Sequence, residues 1–203
     1  METICVIVSS VIAYLLGSIN TAIIFSSLKG KDIRKEGSGN AGATNTLRVM
    51  GKKAAALVAV FDGLKGVVSV LFARLICMLF NVQSPISIYF SALFVMIGHV
   101  YPLYFSFKGG KGVMTTIAVI FMLDWRIGLI LFVLCIAIML TSRYVSLGSC
   151  IGAALFPVLV AVLHTNDKAF IVIAMLIGAL AIFKHRANIS RLMKGTESKL
   201  NFK

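Results

Sequence analysis

Long apolar runs recur along this chain from Ile4 to Phe183, and the first of them, Ile4 to Phe25, contains no charged residue. An α-helix needs about 20 predominantly apolar residues to cross the hydrocarbon core of a bilayer. Within that core every backbone polar group must find its partner inside the protein, which a helix achieves by itself. The fold class that follows is an all-α integral membrane protein. Composition agrees: 59% of the 203 residues are hydrophobic and 13% charged, against about half and about a quarter in soluble domains.

The runs divide into seven spans: Ile4–Ser27, Ala54–Phe80, Pro85–Phe107, Gly112–Leu123, Ile127–Ser142, Ser146–His164 and Lys168–Lys184. The fourth is short and the fifth marginal, so five helices with a re-entrant piece is the competing count. The first run lacks a basic leader and an A-x-A site, and reads as a retained span rather than a cleaved signal. With no linker, repeat or low-complexity tract, residues 1–203 read as one integral domain.

Charge sets the orientation. Of the 20 basic residues, only Arg126, Lys168, Lys65 and Arg74 fall away from the segments that lie inside when the N-terminus is outside. The positive-inside rule therefore predicts an external N-terminus and a cytoplasmic C-terminus. The net charge of +13 is then mainly topology and attraction to anionic headgroups, with no nucleic-acid partner implied. Cys5, Cys77, Cys135 and Cys150 are far apart, form no C-x-x-C pair and read as small buried hydrophobes rather than a disulfide framework or metal site.

Three inside segments are unusual. In "GSGNAGATNTLR" (37–48), Gly37, Gly39 and Gly42 match the G-x-G-x-x-G dinucleotide fingerprint, but a charged loop rather than a strand precedes them. What remains is an anion cradle of backbone N–H groups with Ser38, Asn40 and Asn45 beside it. Arg48 is able to fork onto two phosphate oxygens, and Thr44 or Asn45 is placed to cap a helix. In "GHVYPLYFSFKGGKGV" (98–113), the Walker A pattern fails, leaving Lys108 and Lys111 around a glycine pair; His99 reads as a polar contact inside the bundle, with the deep end of the site as the alternative. In "HRANISRLMKGTE" (185–197), His185 and Asn188 share one face of a continuing helix. Asp62 and Lys65, three apart within the second span, read as an interior ion pair, and "RYVSLGS" (143–149) as a further inside turn. A flexible glycine loop and topological lysines are the plainer readings of these segments. The H-x-x-x-x-D pattern of common glycerolipid acyltransferases is absent.

From "GSIN" (17–20) to Glu197, nearly the whole chain, these segments resemble in order the three motif loops of bacterial acyl-phosphate:glycerol-3-phosphate acyltransferases. Ala41 departs from the proline common in that family after G-S-G-N. The resemblance implies a seven-helix enzyme of the bacterial inner membrane with its active site facing the cytoplasm. It would transfer a fatty acyl group from acyl phosphate to the 1-hydroxyl of glycerol 3-phosphate, the first acylation of phospholipid synthesis, without cofactor or metal. It implies that Ser38, Arg48 and Lys111 hold phosphate and that Gly39, Asn40 and Asn45 shape the pocket. It also brings in His185 and Asn188, with Lys108 and Ser149 as further binding residues. A functional monomer and a transient partner that makes acyl phosphate are the implied associations. A transporter for an organic phosphate and a lipid-binding scaffold are the alternatives from other classes.

Overall fold

The computed structural model describes residues 1–200, all of whose regular structure is helical. The helices are α1 (Glu2–Ser18), α2 (Thr21–Ser27), α3 (Ala43–Met50), α4 (Lys52–Leu79), α5 (Ile86–Val100), α6 (Val113–Leu123), α7 (Trp125–Ser142), α8 (Val145–Leu163), α9 (Lys168–Lys184) and α10 (Arg186–Met193). Single helical turns at Ile33–Lys35 and Leu103–Phe105 lie in the connections.

Five stretches are long and apolar enough to span: Glu2–Ser27, Lys52–Leu79, Ile86–Phe105, Trp125–Ser142 and Val145–Leu163. The pair Lys168–Lys184 and Arg186–Met193 qualifies only as a single span bent by 57°. The eleven residues of α6, at about 1.5 Å each, cover roughly half the hydrocarbon thickness. The continuous first and third spans expected from hydropathy are interrupted. Asn20 ends the first by accepting the Ile23 N–H and starting α2, and the third leaves helical form at Tyr101–Pro102.

The chain forms two compact units, Met1–Leu123 and Asp124–Lys203. In the first, α1 lies along α5 and α4, and α4 also carries α3, α5 and α6. Glycines set the α1–α5 spacing: a Cβ on Gly98 would stand 2.9 Å from the Ser18 nitrogen and 3.0 Å from the Gly17 carbonyl carbon. Close backbone approach of this kind is how helices associate where apolar burial offers no net drive. In the second unit α8 packs between α7 and α9, and α10 folds against α8 and α9. Asp124 and Asp167 cap α7 and α9 by accepting the first free N–H groups. Outward faces, such as Leu64, Leu71 and Phe72 on α4 or Leu129, Phe132 and Val133 on α7, are apolar and exposed.

Candidate active site

The cradle of the first unit is built around Asn45. Its Nδ2 donates to the carbonyls of Ile33 (3.1 Å) and Glu36 (2.9 Å), and its Oδ1 accepts the Ser38 N–H at 2.8 Å. Asn45 is 0% exposed and all three bonds close the loop. It therefore shapes the loop and does not cap α3, whose N-cap is Gly42 with no side-chain cap bond. Gly37 and Gly39 have φ of 57° and 71°, the left-handed region that side chains resist. Ser38 and Arg48 are exposed, and Arg48 enters no ion pair among the described residues. Arg34 differs: Asp32 clamps its guanidinium at 2.9 and 3.0 Å, and that clamp holds the Asp32 carboxyl below its usual range. Of these two arginines, Arg48 is the one whose guanidinium enters no ion pair among the described residues. Asn40 is half-buried beside Gly42.

The KGGKG loop folds back onto the end of α5. Gly109 N–H donates to the Val100 carbonyl (3.3 Å) and Gly110 N–H to the His99 carbonyl (3.2 Å). A Cβ on Gly110 would strike both the Ala41 carbonyl oxygen and His99 Nε2. The two glycine loops are therefore in contact at Ala41 and Gly110, with Lys108 exposed and Lys111 half-buried. As expected, Asp62 and Lys65 pair inside the unit, at 3.1 Å, and His99 is a buried polar contact beside them.

In the second unit the helix carrying His185 does not continue. His185 ends α9 and begins α10, so His185 and Asn188 occupy a 57° corner rather than one straight face. Both are buried, 3% and 6% exposed. His185 Nδ1 lies 2.8 Å from the Ala181 carbonyl oxygen. A carbonyl only accepts, so Nδ1 carries the proton and Nε2 is the basic nitrogen of the neutral ring. Glu197 gathers the rest: it accepts from Ser146 Oγ (2.8 Å), Asn188 Nδ2 (2.6 Å) and Arg191 Nε (2.6 Å). Burial pushes its carboxyl up, but those three donors outweigh burial and hold it below the usual range. Ser149 donates to the Val145 carbonyl of its own helix (3.0 Å), so the serine that joins this cluster is Ser146.

Two organising residues escaped the sequence reading. Asn20, 0% exposed, caps α2 and sends Nδ2 toward the Ala41 carbonyl at 3.5 Å. Its signal was an asparagine within an apolar run. For Glu197 the signal was scarcity, since the chain has only 7 acidic residues.

The family model described as glycerol-3-phosphate acyltransferase matches residues 7–195. A glycerol-3-phosphate acyltransferase of Thermoanaerobacter sp. (strain X514) is 42% identical, covering 97% of this chain and 96% of its own. That of Clostridioides difficile (strain 630) is 38% identical, covering 100% and 99%. Among solved structures, PlsY, an integral membrane glycerol 3-phosphate acyltransferase, is similar in its glycerol 3-phosphate form. Its TM-score is 0.88 with 39% identity, covering 97% of this chain and 96% of that one. Its lysophosphatidic acid form matches with a TM-score of 0.85.

Proposed function

The chain belongs to the glycerol-3-phosphate acyltransferase family and is an integral membrane enzyme of that activity, and from this premise we propose that its acyl donor is an acyl phosphate. The glycerol 3-phosphate 1-hydroxyl attacks the acyl carbonyl, forming an ester C–O bond. The mixed-anhydride C–O bond breaks, and inorganic phosphate leaves with lysophosphatidic acid as product. An acyl phosphate is already activated, so the protein has only to hold two phosphates, align the hydroxyl and stabilise an oxyanion.

The observation that carries this reading is the pair of touching glycine loops, with exposed Ser38, exposed Arg48 (in no ion pair among the described residues) and half-buried Lys111 around them. Ser38, Arg48 and Lys111 are assigned to phosphate. Gly39, Asn40, Asn45 and Lys108 complete the cradle, and the family resemblance adds Ser149 as a lesser binding residue. The resemblance of "HRANISRLMKGTE" to the family's third motif assigns His185 and Asn188 to the same reaction. The hydroxyl proton goes either to His185 Nε2 or to a phosphate oxygen of the donor. The relatives' named activity favours the enzyme over an organic-phosphate transporter.

The same reading takes the chain as one enzyme domain, supported by a family match that runs from 7 to 195. It has seven crossings, an external N-terminus and a cytoplasmic active site in a bacterial inner membrane. It acts as a monomer and is supplied by an acyl-phosphate-producing enzyme.

The test uses purified protein in lipid with palmitoyl phosphate and glycerol 3-phosphate, following phosphate and lysophosphatidic acid together. One-for-one release is expected, with Ser38→Ala and Arg48→Ala each losing about a hundredfold or more in kcat/KM. Equal turnover with palmitoyl-CoA would overturn the donor assignment. In the same assay, His185→Asn discriminates the base: a large kcat loss with an altered pH profile places it at His185. A small loss with an unchanged profile places it on the substrate phosphate.

A further inference from the structure

Three ionisable side chains that this reaction does not use meet in the interior of the first unit. Asp62 and Lys65 come from α4 and His99 from the last turn of α5, with side chains 3%, 7% and 3% exposed. Asp62 Oδ1 lies 3.1 Å from Lys65 Nζ and 3.6 Å from His99 Nδ1, and it accepts Thr21 Oγ1 at 3.2 Å. Well-packed apolar residues generally serve a core as well as a buried ion pair does. Charges at membrane depth call for another reason.

The reason lies in what the cluster touches. Lys65 Nζ donates to the carbonyls of Gly17 (3.1 Å) and Ile19 (2.8 Å). These carbonyls sit at the C-terminal end of α1, where helical partners run out and the dipole is negative. The next residue, Asn20, reaches the Ala41 carbonyl of the first glycine loop. The Asp62 backbone carbonyl accepts Thr115 Oγ1 at 2.8 Å, in the turn of α6 that follows KGGKG. His99 lies directly against Gly110, which has room for no Cβ. The cluster thus meets the KGGKG loop directly through His99 and the GSGNAG loop through Lys65, the end of α1 and Asn20.

We propose that Asp62, Lys65 and His99 are positioning residues that hold the GSGNAG and KGGKG loops in their phosphate-receiving shape. His99 acts against Gly110, and the Asp62–Lys65 pair acts through the α1–α2 break on Ala41. The proposal rests on the assignment of those loops to phosphate.

Full-length protein in lipid tests it, with both substrates varied and thermal unfolding measured beside turnover. His99→Phe is expected to fold and to lose at least about tenfold in kcat/KM, mostly as a raised KM for glycerol 3-phosphate or palmitoyl phosphate. His99→Gln, which keeps a polar edge toward Asp62 and Gly110, is expected to restore most of that loss. The joint Asp62→Leu/Lys65→Met variant removes both charges together and is expected to show the same KM rise while folded. Parental KM values in folded His99→Phe and folded joint variant would overturn the proposal. So would loss of folded protein in all three variants, which would assign the cluster to stability alone. Ser38→Ala and Arg48→Ala serve as the separate check on the premise. If they leave both KM values and kcat unchanged, the phosphate assignment fails, whatever the His99 variants do.

Discussion

The side-chain oxygen of Asn45 accepts the backbone N–H of Ser38 at 2.8 Å, so a residue of α3 fixes the conformation of the loop that leads into that helix. The exposed hydroxyl and the buried amide of this pair have separate duties. Asn45→Ala leaves the Ser38 N–H without its acceptor and removes one of two donors from each of the Ile33 and Glu36 carbonyls, which keep the Glu36 and Gly39 N–H groups. A group left unsatisfied costs about 1–3 kcal/mol where water does not reach it. We expect a loss of about 2 kcal/mol or more in unfolding free energy, together with near-complete loss of turnover. Ser38→Ala should lose turnover with an unchanged unfolding midpoint. Thermal unfolding beside kcat/KM for the two variants checks the separation.

Glu197 makes the α10 corner sensitive to acid. Its carboxyl is held below the usual range in the folded chain by Asn188, Ser146 and Arg191 against the upward push of burial, so it binds its proton less readily when folded than when unfolded. A carboxyl of this kind contributes stability above its unfolded pKa and loses that contribution as pH falls through its folded pKa. Stability should therefore decline as pH drops below about 4.5. Glu197→Gln should be less stable at neutral pH by about 1–3 kcal/mol, because hydrogen bonds to a charged acceptor become bonds to a neutral one. Its stability should also depend less on pH in the acid range. Unfolding midpoints of both proteins from about pH 3 to about pH 7, a range that takes in the ordinary carboxyl titration near about pH 4, would show it. Parallel curves would place the acid sensitivity elsewhere.

Gly98 sets how closely α5 approaches α1. A Cβ there meets the backbone of Tyr14, Gly17 and Ser18, atoms that cannot rotate away. Gly98→Val should cost about 1–3 kcal/mol or more by overpacking. It should also lower activity, because Ser18 Oγ accepts the Leu103 N–H (3.1 Å) ahead of the KGGKG loop. Gly30→Ala is the comparison for stability, since nothing lies within 4 Å of its Cβ and only its positive φ opposes the change. The unfolding midpoint should fall much further for Gly98→Val.

The sequence by itself determined the membrane class, the helical content and the residue types available for phosphate. Apolar runs of bilayer length and small residues beside Lys and Arg are properties of local composition, and the medium dictates the rest. It also foretold the Asp62–Lys65 pair, because a three-residue spacing on a helix brings two side chains together. Hydropathy averages over Asn20, however, and so missed the break between α1 and α2. It also passed straight through His185, where the helix turns by 57°. Only the tertiary structure decided that Asn45 closes its own loop, that Ser146 rather than Ser149 joins Glu197, and that Gly110 of one glycine loop lies against both His99 and, in the other loop, Ala41. Those outcomes depend on hydrogen bonds and backbone contacts between segments as far apart in sequence as Ala41 and Gly110. No local pattern of polarity encodes which distant carbonyl a buried side chain will meet.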